Sequence, residues 1–164
     1  MDFLLKVLAA FLIFMMAWMF QEESQLWDLT RTEMKKANNF ATHDAAQQID
    51  KEHLADGRLI IDPNLAMQAF ITSLRENLGL DENLEPIAGS PLHNPVIIRH
   101  FEILDQSNTV FPYLYENQTY HIAKWLRGPA VIAVIESDYV RILDLFSGQD
   151  PIRVPAISEY AMYR

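Results

Sequence analysis

The stretch "FLLKVLAAFLIFMMAWMF", Phe3 to Phe20, constrains this chain more than anything that follows it. Its 18 residues carry one charge, Lys6. As a helix rising about 1.5 Å per residue they reach about 27 Å, close to the roughly 30 Å hydrocarbon core of a bilayer. Ten of them are Phe, Leu, Ile or Val. Each favours the bilayer centre by roughly 0.3–0.6 kcal/mol, together roughly 3–6 kcal/mol. That outweighs Lys6, which lies one turn from the end and extends its charge to the headgroups along an apolar stem. Trp18 suits the aromatic belt at the far interface.

Three roles fit such a run: a cleaved export signal, a buried core helix, or a retained membrane anchor. A signal ends in small residues at an A-x-A-like site, whereas this run ends "MMAWMFQEE" with bulky Met, Trp and Phe. A core helix needs the rest of a 164-residue chain to wrap a cylinder that is apolar almost all round. The retained anchor is therefore the expectation. Its bilayer-facing residues are Phe3, Leu4, Leu5, Val7, Leu8, Phe11, Leu12, Ile13, Phe14, Trp18 and Phe20. Met15, Met16 and Met19 are soft filler between them. Glu22 and Glu23 follow directly, and Arg31, Lys35 and Lys36 lie farther on. Because few residues precede the span, the expected topology is N-terminus in the cytoplasm and the C-terminal domain outside.

Net charge is −9, and residues 1–20 contribute nothing to it because Asp2 and Lys6 cancel. An acidic domain lacks the basic patch that nucleic acid requires, so no nucleic-acid partner is expected. The absence of cysteine removes disulfides, thiolate metal sites and a cysteine nucleophile together.

No Gly occurs before Gly57 and no Pro before Pro63. Apolar or small residues recur at Trp27, Thr30, Met34, Ala37, Ala41, Ala45 and Ile49, a helical stripe with Phe40 at its flank. The spacing predicts one helix from the membrane to about Leu54, closed by Gly57, with a break near Gln21–Ser24 as the alternative. Arg58–Ile61 is β-prone. Asp62 reads as an N-cap, Pro63 as the first helical residue, and Gly79 as the stop of a helix with the stripe Ala66, Phe70, Leu74 and Leu78. Residues 81–95 hold three prolines and a glycine, hence a loop.

Strand patterns follow: 96–104, then 111–119 as an aromatic connection turning at Glu116–Gln118, then 120–126 and 130–136 as a hairpin whose second strand is buried on both faces. Residues 139–146 fit strand or helix, and 151–163 a strand demoted at Pro155 to an edge or bulge. The expected fold is α+β. A long N-terminal transmembrane helix continues as a spine and packs with a second helix on a small antiparallel sheet. The expected units are 1–20 anchor, 21–56 stalk and 57–164 head.

Nothing in this pattern announces catalysis. His43, His53, His93, His100 and His121 lack metal-ligand spacing, and no cofactor is expected. The carboxylate pairs Glu22/Glu23 and Asp81/Glu82 are sequence neighbours rather than an acid/base pair in an apolar pocket. No P-loop, G-x-S-x-G or G-x-G-x-x-G is present. The triplet "NQT" at 117–119 is short enough to arise by chance. Tyr113, Tyr115, Tyr120 and Trp125 are candidates to line a partner groove, although aromatic strand residues usually fill cores.

An N-terminal membrane helix running out as the spine of a small α+β head resembles type IV pilins and pseudopilins. "NNFATHDAAQQIDKEHLADGRLIID" followed by "AMQAFITSLRENLGLD" is similar to TadE-like single-pass proteins of tight-adherence (Tad) pilus and secretion loci in Gram-positive bacteria. The likeness covers residues 1 to about 82. It implies a non-enzymatic structural subunit whose partners are the lipid bilayer and other pilus or secretion subunits, with homo- or hetero-oligomers formed through the N-terminal helix. Prepilin processing expects a Gly or Ala at the cleavage point and a Glu five residues into the mature helix. Residues 1–20 contain no Glu, so the resemblance extends to layout rather than maturation. The alternative expectation is a membrane-tethered ligand-binding or sensory domain using the aromatics between Tyr113 and Trp125. An enzyme with an unrecognised site ranks behind both.

Overall fold

The computed structural model describes residues 2–138 and 151–160. The 139–146 segment lies outside them, as does the end of the final strand expected beyond 160. The elements are α1 (Asp2–Ala46), α2 (Lys51–Ala55), α3 (Pro63–Leu78), β1 (Ile97–Leu104), β2 (Tyr113–Asn117), β3 (Ile122–Leu126), β4 (Ala130–Ser137) and β5 (Ile152–Glu159). This is an α+β fold with a long apolar N-terminal helix and a small antiparallel sheet.

α1 runs 45 residues without interruption through Gln21–Ser24, as a segment free of Gly and Pro permits. It ends at Ala46, however, and does not continue to Leu54. Residues 48–50 bond across to 60–62 instead of extending the helix. Asp50 N–H donates to Ile60 O at 2.9 Å, and Asp62 N–H to Gln48 O at 2.8 Å. Ile49 and Ile61 thus form an antiparallel bridge, all that becomes of the β-prone run at Arg58–Ile61. Asp50 then restarts a helix, its side chain accepting from the backbone N–H of Glu52 and His53 to cap α2. His53 also holds the Asp50 carboxyl below its ordinary pKa through a 2.7 Å hydrogen bond. Gly57 follows α2 at φ +77°.

α3 follows its local signals. Asp62 accepts from the N–H groups of Asn64 and Leu65, Pro63 opens the helix, and Gly79 closes it in the left-handed region. Its stripe of Ala66, Phe70, Leu74 and Leu78 is buried, with the Phe70 ring 5.1 Å from that of Phe101 on β1. α1 and α3 touch each other, and α1 also lies on β4 and β5. Met34, Ala37, Ala41 and Ala45 fill the interface, as their spacing demands.

The sheet pairing differs from expectation in two respects. The aromatic stretch 111–119 is not a connection, because Tyr113–Asn117 is strand β2. Residues 120–126 and 130–136 are not a hairpin with each other. β3 pairs back onto β2 as a separate ribbon, Leu114 opposite Trp125, while β4 lies between β1 and β5 in a three-stranded antiparallel sheet. The reason lies in β4 itself. A strand apolar on both faces and buried throughout needs a strand neighbour on each edge and cover on each side. β1 and β5 supply the edges. Val131, Ala133 and Ile135 pack towards α1 and α3, while Ala130 and Ile132 pack towards Tyr115 and Leu126 of the ribbon. The result is three layers: helices, sheet, ribbon. Among the described strands β5 lies at an edge of the sheet, and Pro155 sits there opposite Val134.

Two polar side chains of α1 are sunk where it packs on the head. Asn38 on α1 has no exposed surface. Its Nδ2 donates to Val154 O at 2.8 Å and Ala133 O at 3.3 Å, tying α1 to β5 and β4 at once. Thr42, equally buried, donates to Asn38 O at 2.6 Å.

Candidate functional site

The feature that sets this chain apart is the uncovered half of α1. Asp62–Leu78 and the sheet close over the helix from Met34 onwards, and Trp27 is half-buried at the margin of the same core. Before Trp27 none of its described residues is buried. The most apolar 18-residue window has a mean hydropathy of 2.3, and none of it is buried. Phe3 is 80% exposed, and Leu4, Leu5, Val7, Leu8, Phe11, Leu12, Ile13, Phe14, Trp18 and Phe20 are all exposed as well. The segment is therefore not a core helix of the described fold. Among the described residues this is the one helix long and apolar enough to cross a membrane. Trp18 Nε1 donates to Glu22 Oε1 at 3.1 Å one turn on, where the apolar run gives way to carboxylates.

The head is fixed in direction relative to that segment. At one end of the sheet, Asp105 just beyond β1 accepts from Ile61 N–H at 3.0 Å, beside the C-terminal end of α1. The opposite end, with Ile97, Glu136 and Arg153, therefore faces the apolar half. There Glu136 is nearly fully buried. Its carboxylate accepts from Arg99 Nη2 at 2.6 Å and from Arg153 Nε. The Arg99 guanidinium, joined by Arg153 and opposed by burial, holds the Glu136 carboxyl below its usual range, and Arg99 is correspondingly raised.

The four aromatic groove candidates do not line one groove. Tyr115 is buried, and its hydroxyl donates to Glu102 Oε2 at 2.8 Å. Burial, with Glu102 opposite, pushes the phenol up to about 12, so it stays neutral and is no nucleophile near neutral pH. His100 Nε2 lies 3.0 Å from the same Glu102 oxygen and 3.1 Å from Tyr115 Oη. Tyr120 leans its ring on His100 at 5.6 Å and donates to Arg99 O. These groups form a strut between ribbon and sheet. Tyr113 and Trp125 stand apart from it, with Trp125 64% exposed on the ribbon's outer face beside Leu114. Open clefts of about 380 Å³ and about 500 Å³ border β3, the first bounded by Asn39, His121, Lys124 and Pro155–Ile157, the second by Glu116–Gln118 and His121–Ala123. Among the described residues no three His, Asp or Glu side chains converge as metal ligands.

The sequence pointed to the apolar half of α1 directly. It did not single out Asn38, for which the available signal was an amide beside the alanine stripe with Thr42 one turn on. No family model matches the chain, and no curated protein or solved structure does either.

Proposed function

We propose that the chain is a membrane-anchored, non-enzymatic subunit whose N-terminal half-helix spans a bilayer once and carries a rigidly attached head. The observation that supports this is the uncovered apolar half of α1, continuous with a second half that belongs to the head's core. About 27 Å of exposed apolar helix in water is a liability, whereas in a bilayer its hydrogen bonds are satisfied within the segment and its side chains are matched. The unbroken helix across 15–25, with no small-residue site, favours retention over cleavage as an export signal. The N-terminus lies in the cytoplasm and the head outside. The assignment as a pilus or secretion subunit, built with other membrane subunits, rests on the pilin-like and TadE-like layout alone.

Alkaline carbonate extraction of the native full-length protein tests the anchor. The chain stays in the membrane pellet, and protease added to intact cells trims the head. Release into the supernatant, or recovery of a product trimmed after Phe20, refutes the anchor. Protection of the head in intact cells reverses the topology. Loss of surface filaments or secretion on deletion tests the assembly role separately.

A second reading, a tethered ligand-binding domain, draws on the clefts beside β3 and on the exposed Trp125. A thermal-shift screen of the full-length chain in detergent separates it, since a ligand of the native state raises the melting temperature by mass action.

A further inference from the structure

The part of α1 that meets the head presents Ala37, Ala41 and Ala45 at intervals of four residues, all buried. Such a face has little relief. Moving the helix along its axis by four residues, about 6 Å, lays alanine on alanine and turns it by only about 40°. Along the alanines, apolar packing, which selects by shape and volume, scarcely distinguishes these settings; Met34, buried at the end of the same face nearer the span, is the one bulky side chain there that does. The neighbouring polar group does so as well. In the observed setting the Asn38 amide reaches Val154 O on β5 and Ala133 O on β4. Thr42 Oγ1, bonded to Asn38 O and 3.4 Å from its Oδ1, steadies it from one turn away. After a four-residue move, Thr42 or Met34 occupies that place. A hydroxyl brings one donor where the amide brings two, and a thioether brings none. One carbonyl with Thr42, or both with Met34, lose this donor in a dry interface, which is expensive.

We infer that Asn38 is the register pin of the molecule: it selects one axial and rotational setting of α1 on the sheet from several that the alanine stripe would accept. A buried polar group that fixes register is the best-attested use of such groups. The consequence extends along the helix. Because α1 has no break between Asn38 and Phe3, its setting on the sheet decides which face of the apolar half lies under which face of the head. On the anchoring reading above, it also decides how far the head stands from the bilayer. Asn38 is a positioning residue, acting through the helix.

The chain has no cysteine, so spin labels at Thr32→Cys on α1 and Glu116→Cys on the ribbon, both exposed positions, report one distance without background. Full-length protein in detergent micelles carries the measurement and needs no bilayer. With Asn38 intact, the electron–electron distance distribution is single and narrow. In Asn38→Leu, close in volume and unable to donate, a second population appears, displaced along the helix by about 6 Å. Should Asn38→Leu not fold, Asn38→Ser, too short to reach both carbonyls, reads the same distribution. A single narrow distribution coinciding with that of the parent overturns the inference. It would mean that alanine packing and the Ile49–Ile61 bridge set the register by themselves. Release from membranes in carbonate, by contrast, removes the anchoring reading and leaves the register result standing.

Discussion

The two halves of α1 are made of the same kind of residue and are solvated in opposite ways. Phe3–Phe20 is mostly bulky, apolar on all sides and without a buried residue, while Met34–Ala46 is small, apolar on one side and buried there. Large side chains all round suit a medium that is apolar all round. Alanines on one face let a helix backbone approach a sheet closely, and polar residues such as Lys35, Lys36 and Asp44 keep the other face wet. One unbroken helix thus passes from one solvent to another, and the side chains alone mark where the change occurs.

Placing a charge in each half breaks the comparison most sharply. Met34→Asp puts a carboxylate where no surface is exposed, costing several kcal/mol and unfolding the head by circular dichroism. Leu12→Arg leaves the head's melting temperature unchanged. It instead costs the span roughly 3–4 kcal/mol, much of its insertion energy, and moves protein into the carbonate supernatant. Equal thermal effects of the two variants would show that the apolar half is covered by the head after all.

Acid separates the halves next. The span contains no carboxylate between Phe3 and Phe20, whereas the head depends on Glu136. Its folded pKa lies below the ordinary value because Arg99 and Arg153 favour the charged form. A depressed pKa contributes stability that is present above the unfolded value and lost as pH falls through the folded one. The melting temperature of the head therefore falls on acidification below the usual carboxylate range, while pelleting with membranes persists. Glu136→Gln lowers the neutral-pH stability by about 1.5–3 kcal/mol and flattens that acid limb. An unaltered limb would assign it to other carboxylates.

How much of this was legible in the sequence follows the range of each signal. Asp62, Pro63 and Gly79 act within one helical turn, and they marked the ends of α3 correctly. The stripes Met34–Ala45 and Ala66–Leu78 are equally local and named the faces that meet. The end of α1 was misplaced because Gln48 and Asp50 bond to residues about a dozen positions away, which periodicity cannot register. Strand pairing failed for the same reason. The 120–126 run has two candidate partners, and the choice of β2 over β4 is decided by the demand of β4 for two neighbours. Of the aromatic candidates, Tyr115 and Tyr120 went to an interlayer strut with His100 and Glu102, an arrangement no spacing rule encodes.

Enlarging an alanine in each half tests the packing contrast more gently. Ala41→Leu adds three carbons to a closed helix–sheet contact and costs about 1–3 kcal/mol through overpacking. Ala10→Leu adds them at an exposed position of the apolar half, leaves head stability unchanged, and strengthens retention by membranes slightly. A destabilised head in Ala10→Leu would place that residue against protein rather than lipid.

The smallest expected effect falls at the exception to the contrast. Phe40 lies in the buried half of α1 yet is 59% exposed, turned away from Met34 and Ala41. Leu29, a further three turns towards the span and also exposed, falls on nearly the same side of the helix. An isolated exposed apolar side chain is ordinary and energetically near neutral. On that footing Phe40→Gln shifts the head's melting stability by no more than about 0.5 kcal/mol, in detergent and in membranes alike. The informative comparison is between those two settings. In detergent Phe40 meets solvent and its loss removes little burial. If the same substitution destabilises the protein by 1 kcal/mol or more in its native membrane only, as read by heat-induced loss of protease resistance, the side chain is buried there against a neighbour that detergent strips away. The division of α1 into a lipid-facing half and a head-facing half would then be incomplete, and the outer face of the head half would have to be counted as a third, protein-facing surface.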